Sequence, residues 1–161
     1  MTTFFATAVA EVDAEHGMDL LADHADALPQ EPQTLASMGR SHDVMDYATA
    51  DFPRTDLYHA VEDALAGYDA VVCPTLATPP LTHEEPIPPR IDGEPTGGVP
   101  TAWTLAWPFN ITGHPVVNVP AEPVEGLPVG MQVVGPSFSE PQLLGVAAAV
   151  ESVSGWDYPD A

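Results

Sequence analysis

The sequence predicts an α/β fold in which helices cover a partial mixed β-sheet. Three observations support this class: apolar residues recur at helical spacing in the first half, short apolar runs bounded by proline follow them, and a helical stretch comes near the end. The 161 residues lie near the commonest size of one domain, and 45% of them are apolar. We therefore expect a single domain over residues 1–161, with a helical lead-in over 1–40.

Two helices are predicted in the first half of the chain. The first ends by the breakers Pro29 to Pro32, where the apolar spacing stops. For the second we expect Ser41 to be the N-cap, Pro53 to kink or split the helix, and Gly67 to end it. One apolar stripe indicates the face that this helix buries, namely Val44, Tyr47, Ala48, Leu57, Val61 and Leu65.

Three strands are predicted after the second helix. Residues 68–74 form a β-branched run closed by proline, and residues 114–120 form another. The third strand lies in 126–135, where apolar and other residues alternate.

A proline-rich loop and a last helix complete the predicted elements. Residues 76–100 lack usable periodicity, so we expect an extended surface loop that is either a lid or disordered. Ser139 and Glu140 introduce a helix over 140–153, and Pro141 occupies its first turn, where a missing N–H costs little.

Charge is the most unusual property of the sequence. The chain has 24 acidic residues and 3 basic ones, for a net charge of −21, and the basic residues are all arginine. Such a surface repels phosphates, which argues against nucleic acid and anionic membranes as partners. Self-repulsion is screened when the Debye length falls to roughly 3 Å near 1 M salt. We hypothesise an extreme halophile, such as a haloarchaeon, as the source; the alternative, acidity that only keeps the protein soluble, explains the missing lysine less well.

Cysteine use and hydropathy bear on the compartment. The single Cys73 excludes an intramolecular disulfide and indicates a reducing environment. The longest apolar run near the end, residues 143–150, is too short to span a bilayer. We expect a soluble, cytoplasmic protein.

Few residues are candidates for chemistry on residue type alone. Cys73 lies in an apolar strand, which favours a buried structural thiol over a nucleophile. The acidic stretch around His83 lacks a second spaced ligand pair, which favours a solvated charge run over a metal site. His114 precedes a proline and is interpreted as a turn residue or one that supports a site from behind. We expect no metal and no cofactor.

Three motifs in succession resemble the C-terminal third of amidase signature enzymes. They read YDAVVCPTLATPP over 68–80, WPFNITGHPVVNVP over 107–120 and GLPVGMQVVGPSFSEPQLLGVAAAVE over 126–151. Their order and spacing match the family, and together they are specific although each alone is weak. The resemblance covers residues 40 to 155 and implies the C-terminal part of the amidase signature fold.

The resemblance implies a chemistry that this chain does not complete. Amidase signature enzymes hydrolyse carboxamides through a Ser nucleophile, a second Ser and a Lys base, which lie in the family's N-terminal part and in a Gly/Ser-rich stretch. This sequence has no lysine and no such stretch, so no catalytic residue is assigned here. We expect a truncated gene, a separately encoded half or a start assigned too late, and a companion N-terminal half or a homo-oligomer as partner.

A substrate role is implied for the segment that leads into the second strand. Trp107, Phe109 and Asn110 are positioned to line the family's substrate funnel, with a small amide as ligand. The structural alternative is turn chemistry, in which Gly113 adopts a positive φ and Asn110 bonds to nearby backbone.

Two other functions stay open. One is a noncatalytic binding or assembly remnant of a truncated amidase. The other is a fragment of the A-type subunit of glutamyl-tRNA amidotransferase, which shares this fold.

Overall fold

A computed structural model describes residues 40–154 except 86 and 99, and positions 11, 14, 15, 17, 19, 23–29, 33, 34 and 37. The chain divides into two compact units, Met1–Leu57 and Tyr58–Ala161. The first predicted helix falls mostly outside the described residues. Within them, positions 11, 14, 15, 23 and 24 are helical, and a 3₁₀ turn, Ala25–Ala27, precedes the predicted stop at Pro29.

Helix α1 spans Val44–Leu65 and begins with a reciprocal cap. Asp43 Oδ1 accepts hydrogen bonds from the backbone N–H of Met45 at 2.8 Å and of Asp46 at 3.0 Å. Asp46 Oδ2 in turn accepts from the Asp43 N–H at 3.1 Å. The prediction of Ser41 as the N-cap is therefore wrong, because Asp43 has an acidic partner three residues later and closes a capping box.

Pro53 lies inside α1 without interrupting it, so the predicted split is wrong. Proline in a helix interior costs about 3 kcal/mol. On each side of Pro53, a threonine hydroxyl donates a hydrogen bond to the backbone carbonyl four residues earlier. Thr49 Oγ1 donates to Met45 O at 2.7 Å, and Thr55 Oγ1 donates to Asp51 O at 3.0 Å.

The far end of α1 agrees with prediction at Gly67, but the predicted apolar stripe is only partly buried. Gly67 adopts φ 83°, which confirms it as the helix stop. Val61 and Leu65 are buried, whereas Val44, Tyr47 and Ala48 are exposed. The prediction was wrong for these three residues: they lie in the first compact unit, whereas the sheet and its core are built from residues of the second.

The strands form one three-stranded sheet and one small hairpin. Their bounds are β1 Val71–Pro74, β2 Arg90–Ile91, β3 Glu94–Pro95, β4 Val116–Pro120 and β5 Gly130–Val134. β5 is central, with Val133 opposite Val72 on one side and opposite Val117 on the other. The three predicted strands are confirmed, and every pairing among the described strands is antiparallel.

The short helix α2 spans Trp107–Thr112. Helix α3, Glu140–Ser154, covers one face of this sheet. Its Leu143 packs with Val119 of β4 and Val133 of β5 to form the buried core. Gly135 permits this contact, because a Cβ there would lie 2.2 Å from Ser139 Oγ and 2.9 Å from Leu143. The α/β class, with helices covering a sheet, is confirmed. Within the described ranges, each helix is too short or too polar to cross a bilayer.

The predicted structureless loop over 76–100 contains the β2–β3 hairpin. Asp92 and Gly93 both adopt positive φ, at 48° and 81°, as a two-residue type I′ hairpin turn requires. Thr96 is buried, and its hydroxyl donates to Pro88 O at 2.6 Å. The expectation of no local structure is therefore wrong for residues 88–98, because an Asp-Gly pair closes a hairpin despite the surrounding prolines.

Candidate functional site

Three strand ends surround an open pocket of about 580 Å³. The C-terminal ends of β1 and β4 and the N-terminal end of β5 lie together because β5 runs antiparallel to both. The loop after β1 and the turn between β4 and β5 form the walls. These walls are mainly apolar, and their largest members are Val72, Leu76, Pro80, Val124, Val129 and Met131.

A hydrogen-bonded pair crosses the pocket lining at Gly130. Thr75 Oγ1 donates to Asn118 Oδ1, although the two residues are 43 positions apart. A Cβ at residue 130 would lie 2.7 Å from Thr75 Oγ1 and 2.8 Å from Asn118 Nδ2, so these two side chains would have to shift if residue 130 were larger. Thr75 is half-buried and Asn118 is exposed, so this pair is accessible to solvent.

The pocket is uncharged even though the chain carries a charge of −21. Among the described residues that line it, none is Asp, Glu, His or Arg. The titratable group is Cys73, and burial raises the pKa of its thiol while a 3.5 Å hydrogen bond from Gln132 Nε2 opposes the shift. The thiol is therefore protonated near neutral pH, which supports the structural role predicted for Cys73.

Gln132 fixes the end of β1 against β5. Its side chain is buried, and Nε2 donates to Pro74 O at 3.0 Å. The loop that begins at Thr75 thus starts from a fixed point, and the Thr75 N–H adds a 3.1 Å bond to Gly130 O.

A second cluster has the order carboxylate, imidazole and hydroxyl. His114 Nε2 lies 2.9 Å from Glu62 Oε1, and His114 Nδ1 lies 2.7 Å from Thr112 Oγ1. The imidazole packs on Tyr58 with ring centroids 5.0 Å apart, and the Tyr58 hydroxyl lies 3.2 Å from Ser137 Oγ. The connectivity is that of a hydrolytic triad.

The burial of this cluster, and the hydrogen bond that its hydroxyl already donates to the backbone, argue against a catalytic role. The His114 side chain is 0% exposed, and Thr112 is also buried. The Thr112 hydroxyl donates to Pro108 O at 3.0 Å, so its proton is committed to the backbone of its own helix. His114 therefore connects α1 to the segment before β4 inside the protein, in agreement with its interpretation as a turn or supporting residue. No sequence pattern had singled out its partners Glu62 and Tyr58.

The predicted funnel residues lie on helix α2, Trp107–Thr112. Trp107 and Phe109 are half-buried and Asn110 is exposed, and Trp107 Nε1 donates to Thr101 O at 3.1 Å. Gly113 ends the helix with φ 74°, which confirms the predicted turn. The pocket is lined by residues other than Trp107, Phe109 and Asn110, and their substrate role stays a prediction.

The described residues contain no group of three or more His, Cys, Asp or Glu side chains placed to hold a metal ion. This includes the stretch around His83, whose side chain is exposed.

Comparison with known proteins decides the family. The amidase family model matches residues 7–144. The chain belongs to the amidase family. Among its relatives in this family, a Mycobacterium tuberculosis protein named amidase AmiA2 is 41% identical over 93 residues, covering 55% of this chain and 18% of the relative. The A-type subunit of the glutamyl-tRNA(Gln) amidotransferase of Exiguobacterium sibiricum is 32% identical over 113 residues, covering 68% of this chain and 22% of the relative.

Solved amidase structures share the fold. A bacterial aryl acylamidase of the amidase signature family superposes with a TM-score of 0.76 at 26% identity, over 92% of this chain and 31% of the other. A crystal structure of an amidase gives a TM-score of 0.73 at 26% identity, over 94% of this chain and 34% of the other. The chain thus spans about a fifth of the curated relatives and about a third of the solved amidases.

Proposed function

We propose that this chain is the C-terminal part of an enzyme that hydrolyses the C–N bond of carboxamides. The observation that carries the proposal is the uncharged pocket, because it is built by the same segments that carry the amidase motifs. A concave, mainly apolar site with a few polar groups is typical of small-molecule binding. The likeness to an aryl acylamidase over 92% of this chain supports an amide as the ligand.

Hydrolysis needs groups that these 161 residues lack. Attack on an amide requires an activated nucleophile and a base, for which the family resemblance implies two serines and a lysine. The sequence has no lysine, the Cys73 thiol is protonated, and the Glu62–His114–Thr112 cluster is buried. We therefore assign the reacting groups to a companion N-terminal part, and to this chain the sheet, the pocket walls and the funnel residues Trp107, Phe109 and Asn110.

A second candidate is the A-type subunit of a glutamyl-tRNA amidotransferase. The 32% identity to the Exiguobacterium sibiricum protein favours it, and that protein's name describes one component of an assembly. The charge of −21 argues against a surface that approaches tRNA. A noncatalytic remnant would instead bind a small amide as a monomer or homodimer without turnover.

The experiment is an activity assay in high KCl. We also propose that the protein belongs to the cytoplasm of a halophile and folds in high salt. The chain is purified alone and together with the product of the adjacent upstream reading frame, and ammonia release from simple amides is measured. Release by the joint preparation supports the proposal, and release by neither contradicts it. Size-exclusion chromatography in the same salt separates a stable complex from a remnant that stays alone.

A further inference from the structure

We propose that His114 is a proton-linked switch, in which the number of protons on the imidazole determines whether the Thr112 hydroxyl bonds to helix α2 or to the ring. The inference goes beyond the proposed function, because it concerns this chain alone and requires neither an amide nor a companion. It rests on the donors and acceptors that meet in the cluster of Glu62, His114 and Thr112.

The Thr112 hydroxyl has one proton and two close acceptors. Its oxygen lies 3.0 Å from Pro108 O and 2.7 Å from His114 Nδ1, whereas Phe109 O is farther away at 3.4 Å. A hydroxyl donates one hydrogen bond and accepts others through its lone pairs. When the Thr112 proton goes to Pro108 O, the contact with the ring is a hydrogen bond only if Nδ1 carries a proton and donates it.

The other ring nitrogen faces a carboxylate. His114 Nε2 lies 2.9 Å from Glu62 Oε1, and an ionised carboxylate is an acceptor only. This contact therefore also needs a proton between its two atoms. While Pro108 O receives the Thr112 proton, both ring nitrogens act as donors, and the Glu62–His114 pair holds two protons as carboxylate and imidazolium.

Removal of one proton from this pair inverts the bond to Thr112. The remaining ring proton stays on Nε2, because a bare Nε2 would set its lone pair against the Glu62 carboxylate. Nδ1 then becomes an acceptor, so the Thr112 hydroxyl turns toward it and releases Pro108 O, since a buried polar atom without a partner is costly. The lost proton passes to water, which reaches the pair at Glu62, whose side chain is 40% exposed while that of His114 is 0% exposed.

The groups around the ring leave Glu62 as its charged partner. Among the described contacts of the imidazole, Glu62 and Tyr58 come from α1, and the Tyr58 ring packs on it with centroids 5.0 Å apart. The Tyr58 hydroxyl lies 3.2 Å from Ser137 Oγ, after β5, and His59 contacts Tyr58 edge-on at 5.8 Å. Proton exchange in the cluster therefore concerns the Glu62–His114 pair first.

The inverted bond changes helix α2. Thr112 is the last residue of this helix and Pro108 lies in its first turn, so the hydroxyl bond to Pro108 O connects the two ends. Trp107 and Phe109, the predicted funnel residues, lie on the same short helix. Proton binding at His114 thus stabilises the helix that carries them, and proton loss loosens it.

The test is NMR spectroscopy of the isotope-labelled 161-residue chain in high KCl, from about pH 5 to about pH 9, which includes the range where histidine ordinarily changes charge. The nitrogen chemical shifts of the imidazole report which ring nitrogens carry protons, and the carbonyl carbon shift of Pro108 reports its hydrogen bonding. We expect two ring protons on His114 at low pH and one, on Nε2, at high pH, with the Pro108 shift following the same curve. A ring that does not titrate, a single proton on Nδ1, or a Pro108 shift that stays constant overturns the inference.

Variants of Thr112 separate the switch from general effects of pH. Thr112→Val removes the hydroxyl, so the Pro108 carbonyl shift should lose its pH dependence, whereas Thr112→Ser keeps a hydroxyl and should retain it. The matched control is Thr49→Val, which removes a similar bond to Met45 O in α1 and should leave the Pro108 response as in the native chain. A Pro108 response that persists in Thr112→Val overturns the inference.

Glu62→Gln tests the other partner of the ring. The amide can still hydrogen-bond to Nε2 but has no negative charge, so His114 should take up its second proton only at lower pH than in the native chain. The exposed His83 is the internal control, and its titration should be the same in both proteins. A His114 titration that Glu62→Gln leaves unchanged overturns the inference.

Discussion

His114 Nε2 lies 2.9 Å from Glu62 Oε1, so a fully buried imidazole joins two residues that are 52 positions apart. The other ring nitrogen contacts Thr112 Oγ1 at 2.7 Å, and Tyr58 packs on the ring. The arrangement orders the last turns of α1 against the segment that leads into β4, and thereby supports the strand that carries Asn118.

Replacing this imidazole should destabilise the fold. His114→Ala leaves Glu62 and Thr112 without their partner and opens a cavity, so we expect a loss of about 2–4 kcal/mol in the free energy of unfolding. Glu62→Gln, which keeps a group able to hydrogen-bond, should cost about 1 kcal/mol. Denaturant unfolding in high KCl measures both. The control is the exposed His83→Ala, and equal effects at the two histidines would contradict the assignment.

The packing of α3 on the sheet depends on Gly135. Gly135→Ala places a Cβ 2.2 Å from Ser139 Oγ and 2.9 Å from Leu143, so both side chains must shift to accommodate the methyl group. We expect a loss of about 1–3 kcal/mol, as for other overpacked sites. Gly145→Ala is the matched control, because a helical alanine in open space should be neutral or slightly stabilising. Thermal melts that rank the two variants in the opposite order would disprove this account of the contact.

The cap of α1 predicts a pH dependence. The hydrogen bond from the Asp43 backbone N–H, aided by His42, holds the pKa of Asp46 below its ordinary value of 3.8. A carboxyl group whose pKa is lower in the folded than in the unfolded state stabilises the fold at pH values above its unfolded pKa. This contribution is lost as the pH falls through the folded pKa. We therefore expect the native chain to be more stable than Asp46→Asn at neutral pH. This difference in stability should disappear when the pH falls below the ordinary pKa of 3.8.

Melts of both proteins across this acidic range test the cap. Asp56→Asn, at an exposed position within α1, is the control and should show no such closing gap. A gap that persists at the acid end would mean that Asp46 acts through something other than its charge.

Salt should stabilise the protein strongly. A charge of −21 on 161 residues repels itself, and salt of about 2 M reduces the Debye length to a few Å. We expect the melting temperature to rise from about 0.1 M to about 2 M KCl. Circular-dichroism melts measure it, and equal stability at the two salt concentrations would contradict the halophile hypothesis.

The sequence predicts those elements that are determined by residues close together in the chain. The β-branched runs before Pro74 and Pro120 identified β1 and β4, and Gly67 and Gly113 marked the helix ends. The β2–β3 hairpin was missed because the prolines around it outweighed the Asp92-Gly93 turn signal. That dipeptide is the feature that would have predicted it.

The pocket and the His114 cluster depend on contacts between residues that are far apart in the sequence, which local sequence patterns do not predict. Thr75 and Asn118 meet across Gly130 only because β1 and β4 both pair with β5 in a particular register. The partnership of Glu62 with His114 likewise requires the packing of α1 on the sheet's connecting segment. The family motifs indicated these segments, but the pocket and the His114 cluster emerge only from the three-dimensional arrangement.

Ammonia release from simple amides, titrated with the proposed N-terminal companion at a fixed concentration of this chain, tests the central claim most directly. The account predicts no release by the chain alone and a rate that rises with added companion to a plateau at equal stoichiometry. Release at an enzymatic rate by the pure chain, or none at any ratio, would contradict it.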